Sequence, residues 1–230
     1  MNKYDFVYFL KESDENEELR FSLRSIEKNC GSLINRVVFV GGNPKGFKNY
    51  VHIKTHQQFG TKHLNVMHGI YTACKAKQPK ITDDFILMND DFYVLKKLNE
   101  IGTYYDGDML DRYNELPDGV YKEKMWVAYA KLRTFYPNPL NFAVHMPMKI
   151  NKCDAALILE KLGISDNFRN YYGNIIGTLN YAESIKDNKL RAKDKTWNKT
   201  APFASSDDDT FEKMRPWLEK KFNKKSGFEE

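Results

Sequence analysis

The chain has 230 residues, 41% hydrophobic and 14% aromatic, which is enough to bury a proper core and excludes disorder over most of its length. A net charge of +5 suits an anionic substrate but falls short of the charge density of a dedicated nucleic-acid binder. Three scattered cysteines exclude a disulfide framework and a zinc site, and Cys30, Cys74 and Cys153 are each expected as small buried or half-buried residues.

In chain order, residues 4–10 read as a first buried strand. An acidic stretch over residues 12–18 then starts a helix, since acids favour its positive end, and Leu19, Leu23 and Ile26 follow at helical spacing. Residues 36–40 form a second strand closed by the turn Gly41-Gly42-Asn43-Pro44. Residues 50–54 form a third strand, 61–76 a second helix and 84–88 a fourth strand. This order implies an α/β fold with helices packed on a sheet, and ligands in such open sheets bind beyond the carboxyl ends of strands. The segments after the first and fourth strands, residues 11–14 and 89–92, are therefore expected to share one crevice.

Residues 99–124, rich in Gly, Asp, Tyr and Asn, read as a long loop of the kind that forms lids. Helices are expected over residues 125–135, 152–162 (capped by Asn151 and Asp154, stopped by Gly163), 167–181 and 207–222 (capped by Ser205 or Ser206). A short strand is expected over residues 141–146 and a basic surface loop or hairpin over 184–200. No apolar run reaches the length of a membrane span. Asp5 interrupts any basic-then-apolar leader, so the expected location is cytoplasmic.

The most informative stretch is Asn89-Asp90-Asp91-Phe92, which follows the apolar Phe85-Ile86-Leu87-Met88. Adjacent carboxylates at the end of a buried strand are costly unless neutralised, and a hard cation such as Mg2+ or Mn2+ does this while leaving coordination positions for phosphate. Asp91 is the expected direct ligand, supported by Asn89 or Asp90. The plainer alternative is that the acids begin a turn.

Arg20 and Arg24 share a helix face, where guanidinium forks could flank a pyrophosphate together with Lys11; alternatively they pair with Glu17 or Glu27. Lys62 could help to hold phosphate, and Asn65, with His63 and His68, is a polar contact to donor or acceptor, or simply surface. His145, at a predicted strand end, is a base for an acceptor hydroxyl, a metal ligand, or a satisfied core residue. Asp207 and Asp208 either cap the last helix or turn inward to the metal or the acceptor. Trp126, Trp197, Trp217, Tyr171 and Tyr172 stack on a base or sugar, or fill the core.

Several segments together resemble the Stealth family of sugar-1-phosphotransferases. Residues 18–28 with Val37-Val38-Phe39-Val40 and Asn43-Pro44 resemble its second region, and Leu64-Asn65 leading to residues 85–92 resembles the end of that region. His145-Met146-Pro147 resembles the start of the third region. Ser206-Asp207-Asp208, with residues 222–229, resembles the fourth, which closes on a Ser-x-Phe-Glu signature. The first region, Trp-Val-Asp/Asn-Gly-Ser-Asp, survives here only as Ser13-Asp14, and the gap to the second is almost absent. The chain is also similar to compact bacteriophage sugar transferases, some of which decorate hydroxymethylated DNA bases.

The resemblance implies a GT-A-like mixed sheet flanked by helices with a helical C-terminal part, in one domain of residues 1–230. Residues 1–98 would bind a nucleotide-sugar, a UDP-sugar first among them, and residues 99–230 the acceptor. It implies metal-dependent chemistry with Mn2+ or Mg2+, and either glycosyl transfer to a glycan or hydroxymethylated DNA, or sugar-phosphate transfer. Lys11, Arg20, Arg24, Lys62, Asn65 and Asp90 would hold the donor, Asp91 and Asn89 the metal, and His145, Asp207 and Asp208 the acceptor. The basic residues 186–199 could track a DNA backbone, with Trp197 assisting an extruded base. A non-catalytic binding module on the same fold is the reading from another class.

Overall fold

The computed structural model describes residues 2–56, 59–163, 167–177 and 182–230. Five strands build the central sheet: β1 (Tyr4–Leu10), β2 (Ile34–Gly41), β3 (Tyr50–Ile53), β4 (Asp84–Met88) and β7 (Met148–Asn151). They lie in the order β3-β2-β1-β4-β7, parallel except for β7, which pairs antiparallel with β4. All seven residues of β1 are buried, as befits a central strand covered on both faces.

The alternation of side chains along β1 divides the core. Val7 and Phe9 face one layer, made by α2 (Lys62–Lys75), α4 (Val120–Arg133), α5 (Lys152–Leu162) and α6 (Phe168–Ile175). Tyr4, Phe6, Tyr8 and Leu10 face α1 (Glu17–Cys30), where Leu19, Leu23 and Ile26 are buried at the predicted spacing. A second sheet runs in the order β5-β10-β9, from β5 (Phe92–Val94), β9 (Lys189–Leu190) and β10 (Phe203–Ser206). Behind it, α7 (Phe211–Lys221) closes a third cluster with Phe21, Tyr93 and Leu190.

Local chemistry explains the helix starts. Asn16 accepts from Leu19 N–H at 2.9 Å and so caps α1, with Glu17 and Glu18 in its first turn. Thr61 caps α2, and Asn151 caps α5 as expected, with Gly163 at φ +76° ending it.

Three expectations about the elements are corrected. Residues 99–124 are not one loop: they hold β6 (Tyr104–Tyr105), which pairs with β8 (Glu183–Ser184), then α3 (Met109–Glu115) and the start of α4. Gly107 and Gly119, both at positive φ, break the chain around α3 and mask the helical pattern. Residues 141–146 form no strand, because α6 side chains replace a neighbouring strand: Asn170 accepts from Phe142 and Ala143 N–H, and Asn174 bonds both backbone groups of Leu140. The edge strand comes just after, as β7. The last helix starts at Phe211, because Ser205 and Ser206 belong to β10 and Asp207 to the turn before the helix.

The predicted helix over 167–181 is seen as α6, and its residues 178–181 lie outside the described residues. Cys153 is exposed in the first turn of α5, whereas Cys30 is buried and Cys74 half-buried. Among the described residues no helix is long and apolar enough to cross a membrane.

Candidate active site

The carboxyl ends of β1, β2 and β4 converge with the N-termini of α1 and α2. A cavity of about 280 Å3 opens there, walled by Phe9, Leu10, Val40, Gly41, Phe59 and Gly69, with Lys11, Lys62 and Asn65 among its lining residues. Two glycines let the backbone close in. A Cβ on Gly42 would lie 2.2 Å from the carbonyl oxygen of Lys11, and one on Gly69 would lie 2.9 Å from the Phe9 ring. Asn65 accepts from Phe59 N–H at 3.0 Å and donates to Phe59 O at 2.9 Å, so its amide builds the cavity wall.

Beside the cavity, the turn from β4 to β5 presents Asn89, Asp90 and Asp91. Asn16 donates to Asp90 at 2.7 Å, tying this turn to the start of α1. Lys189, on β9, lies 3.9 Å from Asp91 and 2.6 Å from Asp207, drawing the acid turn and the end of β10 together. Ser206 donates to Glu18 at 2.7 Å. Burial, reinforced by the charges of Asp90 and Glu18, raises the Asp91 carboxyl to about 7 against the pull of Lys189 and Lys62. Burial likewise raises Glu18 to about 6, with Asp90 and Asp208 adding to it. The acids therefore outnumber the cations that serve them.

On the other flank, His145 is held by Asp187, whose carboxylate accepts from the backbone N–H at 3.1 Å and from ring Nδ1 at 2.9 Å. Asp187 also accepts from Arg191 at 3.2 Å. Burial lowers the His145 pKa, and Lys189 and Arg191 lower it further against the opposing pull of Asp187. Arg169, from α6, lies over the Phe92 ring and feels the charges of both Asp91 and Asp187. Its Nη2 is buried with no hydrogen-bond partner among the described residues.

The site thus brings together Lys11, Lys62, Asn65, Asp90, Asp91, Asn89, His145, Asp207 and Asp208 at one edge of the sheet. Arg20 and Arg24 are not among them: both turn to the C-terminal Glu229, Arg24 at 2.7 and 2.6 Å and Arg20 at 3.2 Å, while Arg20 also bonds Glu17 at 3.0 Å. Of the aromatic candidates, Tyr171 and Tyr172 belong to the core and Trp197 and Trp217 pack on each other at 4.7 Å, whereas Trp126, between Tyr113 and Tyr129, is 46% exposed.

Sequence reasoning missed Asn16, Glu18, Lys189, Asp187 and Arg169. Glu18 reads as a helix-dipole acid and Lys189 as part of a solvated basic loop. Only their neighbours in space show otherwise.

A divalent cation fits the chemistry of this donor set, which is hard oxygen with carboxylates left partly uncompensated. Asp91 with Asn89 would hold it. Among the described residues no three His, Cys, Asp or Glu side chains form a ready-made cage, so further ligands would come from a substrate phosphate.

The fold defined by this sheet and its helices is GT-A-like. The chain is similar to the galactosyltransferase LgtC solved with donor and acceptor sugar analogues, at 10% identity over 98% of each chain with a TM-score of 0.55. It is also aligned with a glycosyltransferase involved in glycosylation of the major capsid of PBCV-1, at 12% identity over 94% of this chain and 99% of that one, with a TM-score of 0.46. At these identities the likeness speaks for the fold, and the first comparison carries it. No protein-family model matches the sequence, and no curated protein matches it.

Proposed function

We propose that this chain is a nucleotide-sugar-dependent glycosyltransferase that moves a sugar from a nucleoside diphosphate to an acceptor hydroxyl. The observation that supports the reading is one juxtaposition on a GT-A-like sheet: the cavity at the ends of β1 and β2 lies beside the overcrowded acids that end β4. The cavity takes the nucleoside, and Lys11 and Lys62 face its phosphates. A divalent Mn2+ or Mg2+ ion, when bound, would neutralise the diphosphate and its leaving-group charge. Asp90 and Asn16 keep the acid turn against α1, and Lys189 holds Asp207 in place beside it. His145 orients or deprotonates the acceptor hydroxyl, with Asp207 and Asp208 close by. On this reading residues 1–98 grip the donor and residues 99–230 the acceptor, and the enzyme works in the cytoplasm.

A glycan acceptor fits better than a DNA base. Lys189 and Arg191, the inner cations of the basic tract, are engaged by Asp207 and Asp187 and do not line an open backbone track. Neutralising Lys193, Lys195 and Lys199 together should leave activity on a sugar acceptor intact; a steep loss, with a weaker salt dependence of binding, would favour hydroxymethylated DNA.

The test is the nucleotide released from a panel of UDP-sugars and other activated sugars. Nucleoside diphosphate is the expected product. Nucleoside monophosphate would mean sugar-phosphate transfer of the Stealth type. Tight nucleotide binding with no turnover, unaffected by Asp91→Asn, would mean a binding module.

A further inference from the structure

His145 sits in a segment without strand partners, yet it is gripped from four directions. Arg169 Nη1 donates to Val144 O at 3.0 Å and to Met146 O at 2.9 Å, the carbonyls on either side of His145. Asp187 takes its backbone N–H and its ring Nδ1, as described above. Asp187 is itself fixed, since its own N–H donates to Asp106 at 3.0 Å. A histidine that only filled space would not need both its backbone and its ring secured by charged groups. The side chain nonetheless keeps 33% of its surface exposed.

We propose that Asp187 and Arg169 are positioning residues that hold His145 as the neutral Nδ1–H tautomer, leaving the Nε2 lone pair to meet the acceptor hydroxyl. The identity of what Nε2 meets rests on the transferase reading; the tautomer does not. The argument is one of donors and acceptors. Its contacts keep the Asp187 carboxyl ionised, at about 2, so it can only accept. Both contacts to His145 are then N–H donations, and Nδ1 carries the ring proton. The other ring nitrogen of a neutral imidazole must bear the lone pair. An unconstrained histidine favours the opposite tautomer, so the arrangement is imposed by Asp187. Arg169 sets where the ring sits by fixing the two carbonyls that flank it.

The test is 15N NMR of histidine-labelled protein at pH 8, with the resonances of His145 assigned by their loss in His145→Gln. The wild-type protein should show protonated Nδ1 and unprotonated Nε2. In Asp187→Asn the amide can donate to Nδ1, and the ring should flip to the Nε2–H form. With a turned-over donor, kcat should fall about a hundred- to ten-thousand-fold while the donor KM holds. Arg169→Met, which offers no donor to either carbonyl, should keep the tautomer and lower kcat.

A protonated Nε2 in the wild-type protein overturns the proposal, and that measurement does not depend on Asp187→Asn or the Arg169 variant folding. So does an Asp187→Asn protein with full kcat. The expected tautomer in a protein that turns over no donor would uphold the positioning and refute the transferase reading instead.

Discussion

Replacing Glu229 by Gln tests how the C-terminal tail supports the site. Its side chain is fully buried, and it receives Arg24 at 2.7 and 2.6 Å, Arg20 at 3.2 Å and the Ser226 N–H at 2.8 Å. These donors, against the cost of burial, hold its carboxyl at about 2 instead of the ordinary 4.5. At about 1.4 kcal/mol per pKa unit that depression corresponds to about 3 kcal/mol. Arg20 remains 27% open to solvent and rehydrates when its partner is lost, which lowers the expected cost to about 2 kcal/mol. For a chain of this length that is about 4–8 °C in Tm.

The sign of the pH dependence follows. A depressed carboxyl stabilises the fold fully above its unfolded value, so the contribution should fade as pH drops from about 4.5 toward 2. Urea unfolding of both proteins at pH 7 and in steps down to pH 3 reads this directly. The gap between Glu229→Gln and wild type should be widest at pH 7 and narrow below pH 4.5. Equal stability at pH 7, or parallel pH profiles, would refute the ion-pair account. Because α1 also carries Asn16 and Glu18, the variant should raise the donor KM as the helix loosens.

Three further outcomes are expected. Asp91→Asn should abolish turnover yet raise stability by about 1–2 kcal/mol in chelator at pH 8, because burial and Asp90 make the charged carboxylate unfavourable in the fold above its ordinary range; thermal melts check it, and Mn2+ should raise the Tm of wild type but not of this variant. Lys189→Met leaves Asp91 and Asp207 facing each other without their shared cation, and should lower both the Tm and kcat/KM in the same preparations. Gly42→Ala drives a methyl into the Lys11 carbonyl and should cost about 2 kcal/mol or more, with nucleotide affinity by calorimetry falling as the cavity mouth shifts.

Much of the scaffold is legible along the chain because it depends on neighbours in sequence. β1 and β4 fall where short apolar runs, Phe6–Leu10 and Phe85–Met88, give way to polar and charged residues, and α5 runs from its Asn151 cap to its Gly163 stop. The acids after β4, the proposed donor edge, are legible for the same reason: a strand that must be buried ends where carboxylates begin. The destiny of Arg20 and Arg24 is not legible in this way. Their spacing shows that they share a face, but the buried anion they meet is Glu229, some two hundred residues on.

By itself, then, the sequence determined the α/β layering and the acidic tip of β4, since hydrophobic period and capping act within a few residues. Tertiary structure alone decided which charges meet. Lys189 could have been solvated, Glu18 a plain dipole acid and Asp187 a loop residue. Packing of the second sheet and α6 against the first placed them in low dielectric together, and there each carboxylate or cation takes its character from partners that no local pattern announces.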